Sequence, residues 1–365
     1  MMHRLHATAE AARKAARGTL DLLRCHSCGL VWNAAFDPER LRYDASYENS
    51  QAHSPAFLDH MRARADAILK AIPRGEDLDC LEVGCGQGEF LDCVVERAGG
   101  RLRHAEGFDP AFRRQPGKTS TYEIHKAQFD GHTAGLLVNP PNVVVTRHTI
   151  EHVADPVGFL ASIREALGPR SRALMCVETP DVDWILENNA VHDFFYEHCC
   201  IFTSAALAIA LQRAGFEGAA VDRVFGRQYL WATARAGAGR ERPLPAAAAR
   251  PVAHTDLKNG FVQFWTEQVR AARERGPVAL WGAGAKGGTF ALLVDAAGEL
   301  IDHAIDINPG KQGHYLPGSG LPVVSPGASA TRRPATVFVM NPVYLDEIGK
   351  VASAAGIQAD LIPVN

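Results

Sequence analysis

The chain has 365 residues, 47% hydrophobic and 22% charged, with a formal net charge of -3. That length and apolar content suffice for two or three cores without disulfide staples, and the near-neutral balance excludes a nucleic-acid footprint or an acidic tail. No apolar run approaches membrane-spanning length and the start MMHRLHATAEAARKAARG lacks the apolar centre of a signal peptide, so the expectation is a cytoplasmic enzyme. Its expected partners are small molecules, with no nucleic acid and no membrane, and its expected state is a monomer or homodimer.

In chain order, the first pattern is Cys25-His26-Ser27-Cys28-Gly29, the spacing of half a zinc ribbon. A structural zinc takes four ligands. The eight cysteines include no second Cys-x-x-Cys, although His3 and His6 share the spacing, so Cys25 and Cys28 read either as two zinc ligands or as reduced thiols. Residues 1–54 are expected to form this small lobe, and a helix is expected from Pro55 to Ile72. Seven strands follow, in DCLEVG, AEGFD, YEIHKA, NVVVTRH, RALMCVET, AAVDRVF and QYLWATA, filling a domain over 55–236. The Ala- and Pro-rich residues 237–251 read as a linker. A second series, PVALWGAG, DHAIDIN, ATVFVMN and ADLIPVN, with a helix in GFVQFWTEQVRAARER, occupies 252–365. Both series predict doubly wound α/β sheets with ligand loops at the carboxyl ends of the strands.

The most informative run is CLEVGCGQGEFL, where a strand turns through Gly84, Gly86 and Gly88 into a helix. A dinucleotide fingerprint wants a sixth-position Gly, and Glu89 stands there. The actual spacing, acid-x-Gly-x-Gly-x-Gly, resembles motif I of the class I methyltransferases and implies S-adenosylmethionine as cofactor. The contacts expected for it are Glu82, Gly84, Cys85, Gly86 and Gly88 in the loop, and Asp109 with Pro110 after the second strand, where a carboxylate could take the ribose hydroxyls. Gln128 and Phe129 after the third strand and Arg147 with His148 at the end of the fourth complete the set.

Two clusters of His and acid stand at consecutive strand ends: Arg147 to Asp155, with Glu151 and His152, and Phe194 to His198. Titratable groups at such positions suit proton transfer. In the second series Gly282-Ala283-Gly284-Ala285-Lys286-Gly287 satisfies G-x-G-x-x-G, with Asp306 ending the next strand. Lys286 adds a point charge suited to phosphate. A nucleoside diphosphate site, a nicotinamide dinucleotide site and a plain scaffold all remain open on these residues.

Taken together, CHSCGLVWN with Tyr47 downstream, CLEVGCGQGEFL, HTIEHVADP, YEH, WGAGAKGGTFALL and IDINPGKQGHYLPGSGLPV resemble the sugar C-methyltransferases that act on nucleotide-linked ketodeoxyhexoses. The resemblance implies a zinc-ribbon-like N-terminal lobe, a class I methyltransferase domain with a seven-stranded Rossmann-like sheet, and a second Rossmann-like domain closing over the substrate. It maps catalytic roles onto His152, Glu197 and His198. His198 is then the expected base, Glu197 its orienting partner and His152 or Arg147 the oxyanion donor, with Tyr196 beside them. Gly284, Lys286, Asp306, Asn308 and Lys311 are the expected substrate contacts. Two departures stand out: only two of the lobe's four cysteines are present, and Phe195 occupies the position of a tyrosine implicated in catalysis. The expected reaction is C-methylation of a nucleotide-activated ketosugar through an enolate. The alternatives are an oxygen- or nitrogen-directed methyltransferase, or a bifunctional enzyme holding a nicotinamide dinucleotide.

Overall fold

In the computed structural model, which describes all residues except 1, 42–46, 49, 114–120, 238–248, 253 and 365, the chain opens with a short helix, α1 (Ala9–Arg13), and a hairpin, β1 (Leu22–Cys25) and β2 (Val31–Asn33). The hairpin turn carries both cysteines of the Cys-x-x-Cys pattern, and Gly29, at φ 79°, closes it by donating its N–H to the Cys25 carbonyl at 2.9 Å.

Helix α2 (Pro55–Ala71) begins where Ser54 caps the Phe57 N–H and Pro55 supplies a preset first turn. The middle domain then runs β3 (Leu78–Val83), α3 (Glu89–Ala98), β4 (Leu102–Phe108), β5 (Glu123–His125), β6 (Val143–Arg147), α4 (Pro156–Ala166), β7 (Leu174–Pro180), α5 (Val182–Glu187), β8 (Cys200–Ile201), α6 (Ser204–Arg213), β9 (Phe216–Val224) and β10 (Tyr229–Ala236). All seven predicted strands join one sheet, in the order β5-β4-β3-β6-β7-β10-β9, and only β10 runs against its neighbours. β3, β6 and β7 are buried along their whole length, as parallel strands covered on both faces must be. Side chains alternate between two cores: Val143 and Val145 pack with Phe57, Met61 and Ile68, while Val144 packs with Leu160, Ile163 and Leu207.

β8 leaves that sheet to pair with β2, and β11 (Ala249–Pro251), at the end of the expected linker, pairs with β1. The lobe is thus a four-stranded sheet completed by two later segments. Beyond it lie α7 (His254–Arg275), β12 (Val278–Trp281), α8 (Ala285–Val294), β13 (His303–Ile305), β14 (Val323–Val324), α9 (Pro326–Arg332), β15 (Thr336–Val339), α10 (Leu345–Ala355) and β16 (Asp360–Pro363). These strands form a second, wholly parallel sheet, β14-β13-β12-β15-β16. β14 was not expected, being two residues inside a Gly- and Pro-rich run. The chain order reverses between β3 and β6 in one sheet and between β12 and β15 in the other, the switch points at which α/β sheets hold ligands. Val191 enters the core of the second domain and His192 stacks on Phe261 at 5.5 Å, so the segment after α5 fastens the two domains together. No helix among the described residues is long and apolar enough to cross a membrane.

Candidate active site

The first cavity, of about 410 Å³, opens at the β3–β6 switch point. Gly84, Gly86 and Gly88 all adopt positive φ, at 77°, 58° and 85°, a conformation that glycine alone takes without strain. A Cβ at Gly84 would lie 2.1 Å from Thr149 Oγ1, and one at Gly88 would lie 2.7 Å from the Tyr122 hydroxyl. The loop ends at the start of α3, whose free N–H groups favour an anionic ligand group. Asp109, directly after β4, accepts N–H bonds from Gly86 at 2.9 Å and Ala111 at 2.7 Å, so it shapes the loop as well as lining the cavity. Pro110, Gln128 and Phe129 line the same cavity, the Phe129 ring meeting Phe108 edge-on at 5.1 Å. Cys85 lines it too, but its sulfur packs where a Cβ on Gly107 would stand.

Glu82 tests whether a cationic cofactor fits. Its carboxyl is buried, with Oε2 lacking any hydrogen-bond partner, and burial raises its pKa to about 8 against the pull of Arg147. An idle buried carboxyl oxygen suits a cation, and S-adenosylmethionine carries two, an ammonium and a sulfonium. The glycine loop, Glu82 and Asp109 therefore fit that cofactor.

Beneath the cavity Glu178, at the end of β7, collects three basic partners: His60 Nε2 and Arg147 at 3.0 Å, and His148 Nε2 also at 3.0 Å. Burial alone would raise its pKa, but these partners hold it well below the usual carboxylate range. Arg147 also lies over the Phe90 ring at 4.6 Å and faces the cofactor cavity. His148 has φ 51°, unusual for a non-glycine, and sits at 3.6 Å from Glu151 through Nδ1. Burial opposes its charging, yet Glu151 and Glu178 outweigh that and raise its pKa.

A second cavity, of about 240 Å³, lies between the two α/β domains and shares Tyr47, Gln51, His148 and His152 with the first. The clusters predicted at consecutive strand ends meet in it, with the rings of His152 and His198 edge to face at 4.9 Å. His152 Nδ1 lies 2.9 Å from the Glu197 carbonyl oxygen, and Phe195 packs on His198 at 3.9 Å. His198 Nδ1 is buried without a hydrogen-bond partner, and burial, followed by His152, His148, His3 and Lys286, holds its pKa well below the ordinary value. Glu197 and Tyr196 stand differently from their expected roles. The Glu197 carboxylate accepts the N–H of Met2, and the Tyr196 hydroxyl accepts the N–H of Asp37 at 2.8 Å. Both face a separate cavity beside the N-terminal segment, because residues 195–198 make a turn that sends Tyr196 and Glu197 to one side and His198 to the other.

From the second domain Gly284, Lys286, Asp306, Asn308 and Lys311 all line the shared cavity, but their polar atoms are largely engaged. Lys286 Nζ meets Asp193 at 2.7 Å and Gln228 at 3.0 Å. Asp306 accepts the Ala283 and Asn308 N–H groups at 2.8 and 2.9 Å and lies 3.4 Å from Lys311. Asn308 donates to Glu48 at 3.1 Å.

The mixed zinc site is not assembled. Cys25 and Cys28 lie within hydrogen-bonding reach of each other, but no third Cys, His, Asp or Glu joins them among the described residues. His3 instead lines the shared cavity, edge-on to Tyr47 at 5.3 Å, and His6 pairs through its backbone with Tyr315. The two-cysteine turn does not fit a structural zinc. Sequence reasoning missed Glu178, His60 and Tyr229 as parts of the site. Glu178 carried the same signal as Asp109, an acid at the end of a predicted strand; His60 and Tyr229 carried none.

A family model described as a methyltransferase domain matches residues 57–221, and one described as a C-methyltransferase C-terminal domain matches residues 254–359. C-methyltransferase NovU of Streptomyces niveus is 27% identical over 357 residues, covering 90% of this chain and 81% of that protein. Among solved structures, a SAM dependent methyltransferase from Aquifex aeolicus is 16% identical over 55% of this chain and 99% of its own, with a TM-score of 0.37. The Burkholderia thailandensis 1,6-didemethyltoxoflavin-N1-methyltransferase is 19% identical over 52% of this chain and 80% of its own, with a TM-score of 0.36. The chain is an S-adenosylmethionine-dependent methyltransferase, similar in both its methyltransferase domain and its C-terminal domain to C-methyltransferases.

Proposed function

We propose that this methyltransferase forms a carbon–carbon bond on a nucleotide-activated keto-deoxysugar, by removing a proton next to the ketone and methylating the enolate. The observation that carries the reading is the junction of the two cavities: the His152–His198 pair stands in the second cavity, and His148 and His152 border the cofactor cavity as well. When bound, S-adenosylmethionine supplies an electrophilic methyl group on a sulfonium centre. Gly84, Gly86, Gly88, Glu82 and Asp109 hold it, and the buried wall of Phe57, Met61 and Phe129 keeps water out.

His198 takes the α proton in this reading. Its depressed pKa keeps it uncharged at neutral pH, and an uncharged imidazole with an idle ring nitrogen can accept a proton. His152, its tautomer fixed by the Glu197 carbonyl, orients the pair. Glu197 supports the site through its backbone carbonyl. Lys286 and Lys311 offer positive charge at the far side of the cavity, which suits a diphosphate, although Lys286 must then trade Asp193 for phosphate. Holding the acceptor carbon in line with the methyl donor is the remaining requirement, and a cleft between two domains can meet it.

The test is exchange. With S-adenosylhomocysteine bound, the enzyme should wash deuterium from heavy water into a thymidine diphosphate-linked 4-keto-6-deoxyglucose at the carbon beside the ketone. His198→Asn should abolish that exchange and lower turnover about 100-fold or more while keeping both ligands bound. Exchange that persists in His198→Asn would pass the base role to His152.

A further inference from the structure

An enolate needs a donor facing the oxygen on which negative charge collects. Arg147 is withdrawn from that task, since it pairs with Glu178 and lines the cofactor cavity alone. His152 has one ring nitrogen committed to the Glu197 carbonyl. The shared cavity offers another donor. Resting on the carbon-acid reading above, we propose that the phenol hydroxyl of Tyr229 hydrogen-bonds the acceptor's carbonyl oxygen and stabilises it as the enolate.

Strand direction places Tyr229 there. β10 runs antiparallel to β7 and pairs Tyr229 with Pro180, so the first residue of β10 lies at the edge where β3, β6 and β7 end. Tyr229 is buried, lines the cavity between the domains, and its hydroxyl makes no hydrogen bond with any described residue. The residue is 8% exposed, on the cavity side, so a ligand oxygen entering the cavity meets a phenol with no competing protein partner. Of the other tyrosines on this cavity, Tyr344 donates to Gln51 at 3.2 Å and Tyr47, edge-on to His3, has further partners; Tyr196 faces the outer cavity, and the phenylalanine at 195, against His198, has no hydroxyl.

The ring is also held in place. Phe225 stacks on it at 5.3 Å with only 7° between the planes, and His148 meets it edge-on at 4.6 Å. Both of these neighbours are non-glycine residues at positive φ, 50° and 51°. Such backbone strain persists where surrounding structure over-determines it, commonly at functional sites. Burial pushes the phenol's pKa well above its ordinary value, so it remains a donor at the neutral pH at which His198 is uncharged.

The step balances without a further reactant. The α C–H bond breaks toward His198, its electron pair forms the C–C double bond, and the carbonyl pair moves onto the oxygen facing Tyr229. Tyr229 keeps its proton. The C–C double-bond pair then forms the new bond to the methyl group as the methyl–sulfur bond breaks and its pair goes to sulfur, leaving S-adenosylhomocysteine; the pair on oxygen returns and restores the carbonyl, and His198 releases its proton to solvent.

Tyr229→Phe keeps the ring stack and removes only the hydroxyl. Deuterium wash-in to thymidine diphosphate-linked 4-keto-6-deoxyglucose and turnover should both fall by about 100-fold, with S-adenosylmethionine affinity unchanged. Fluorotyrosine incorporated at position 229, which keeps ring and hydroxyl, should retain exchange. Wild-type exchange rates in Tyr229→Phe would overturn the Tyr229 role while leaving the carbon-acid reading intact, and so would loss of exchange in the fluorotyrosine enzyme that wild-type protein retains. Absence of exchange in the wild type itself would overturn the carbon-acid reading and the Tyr229 role with it.

Discussion

The two glycine loops of this chain follow the same plan and end in different states. Each turns from the first strand of a parallel series into a helix, and each is fastened by an acid after the next strand: Asp109 accepts the Gly86 N–H, and Asp306 accepts the Ala283 N–H. In the cofactor loop three glycines take positive φ and the neighbouring Glu82 keeps an idle oxygen. In the second loop only Gly282 does so, at φ 114°, and Gly287 is needed because a Cβ there would lie 1.9 Å from the Gly282 carbonyl oxygen. Its lysine, Lys286, is bound across the domain interface by Asp193 and Gln228. The first loop is left unsatisfied for a ligand; the second spends much of its polar capacity on holding the molecule together.

Paired substitutions put that contrast under the most strain. Gly84→Ala combines positive φ with a clash against Thr149, so S-adenosylmethionine affinity should fall about 100-fold or more, read by calorimetric titration. Gly284→Ala, at φ -92° with its nearest neighbours 3.8 and 4.0 Å from the new Cβ, should leave that affinity alone. Similar losses in both variants would erase the distinction. Asp109→Ala removes charge-assisted bonds worth roughly 1.5 to 3 kcal/mol each and should weaken the cofactor about tenfold or more. Unchanged affinity in folded protein would remove Asp109 from the site.

Smaller effects sharpen the picture. Lys286→Ala should raise KM for a nucleotide-linked acceptor about tenfold and leave KM for the methyl donor nearly unchanged; equal changes would assign the loop to the fold alone. Glu82 makes a prediction about protons. With its pKa near 8 in the free enzyme it is mostly protonated at neutral pH, and a bound cation favours the ionised form, so cofactor binding should release protons. Affinity should therefore rise with pH up to about 8, and the binding heat at neutral pH should depend on the ionisation enthalpy of the buffer. An affinity indifferent to pH would show that Glu82 does not meet the positive charge.

Both sheets were legible in the sequence because buried parallel strands write themselves as short apolar runs ending in acids and glycines, as DCLEVG and DHAIDIN do. β14 escaped because two residues carry no period. The lobe escaped in part because β8 and β11 come from distant segments, a pairing that local pattern cannot announce. Within the site, the loop glycines, Asp109 and the meeting of His152 with His198 could be read from spacing and strand ends. The direction of Glu197 could not, because adjacency in sequence does not say which side of a turn a carboxylate takes. The Cys25-x-x-Cys28 spacing left open a zinc site that its surroundings do not complete, since the fold carries His3 and His6 to other partners. Tyr229 was one aromatic among several in QYLWATA, and only the antiparallel course of β10 brings it to the ligand edge.

The most direct test of the central claim is the fate of the methyl group. Enzyme given S-adenosylmethionine labelled with carbon-13 in its methyl, together with thymidine diphosphate-linked 4-keto-6-deoxyglucose, should yield a product whose carbon NMR spectrum shows the label coupled to a ring carbon of the sugar. A label bonded to oxygen or nitrogen would contradict the account.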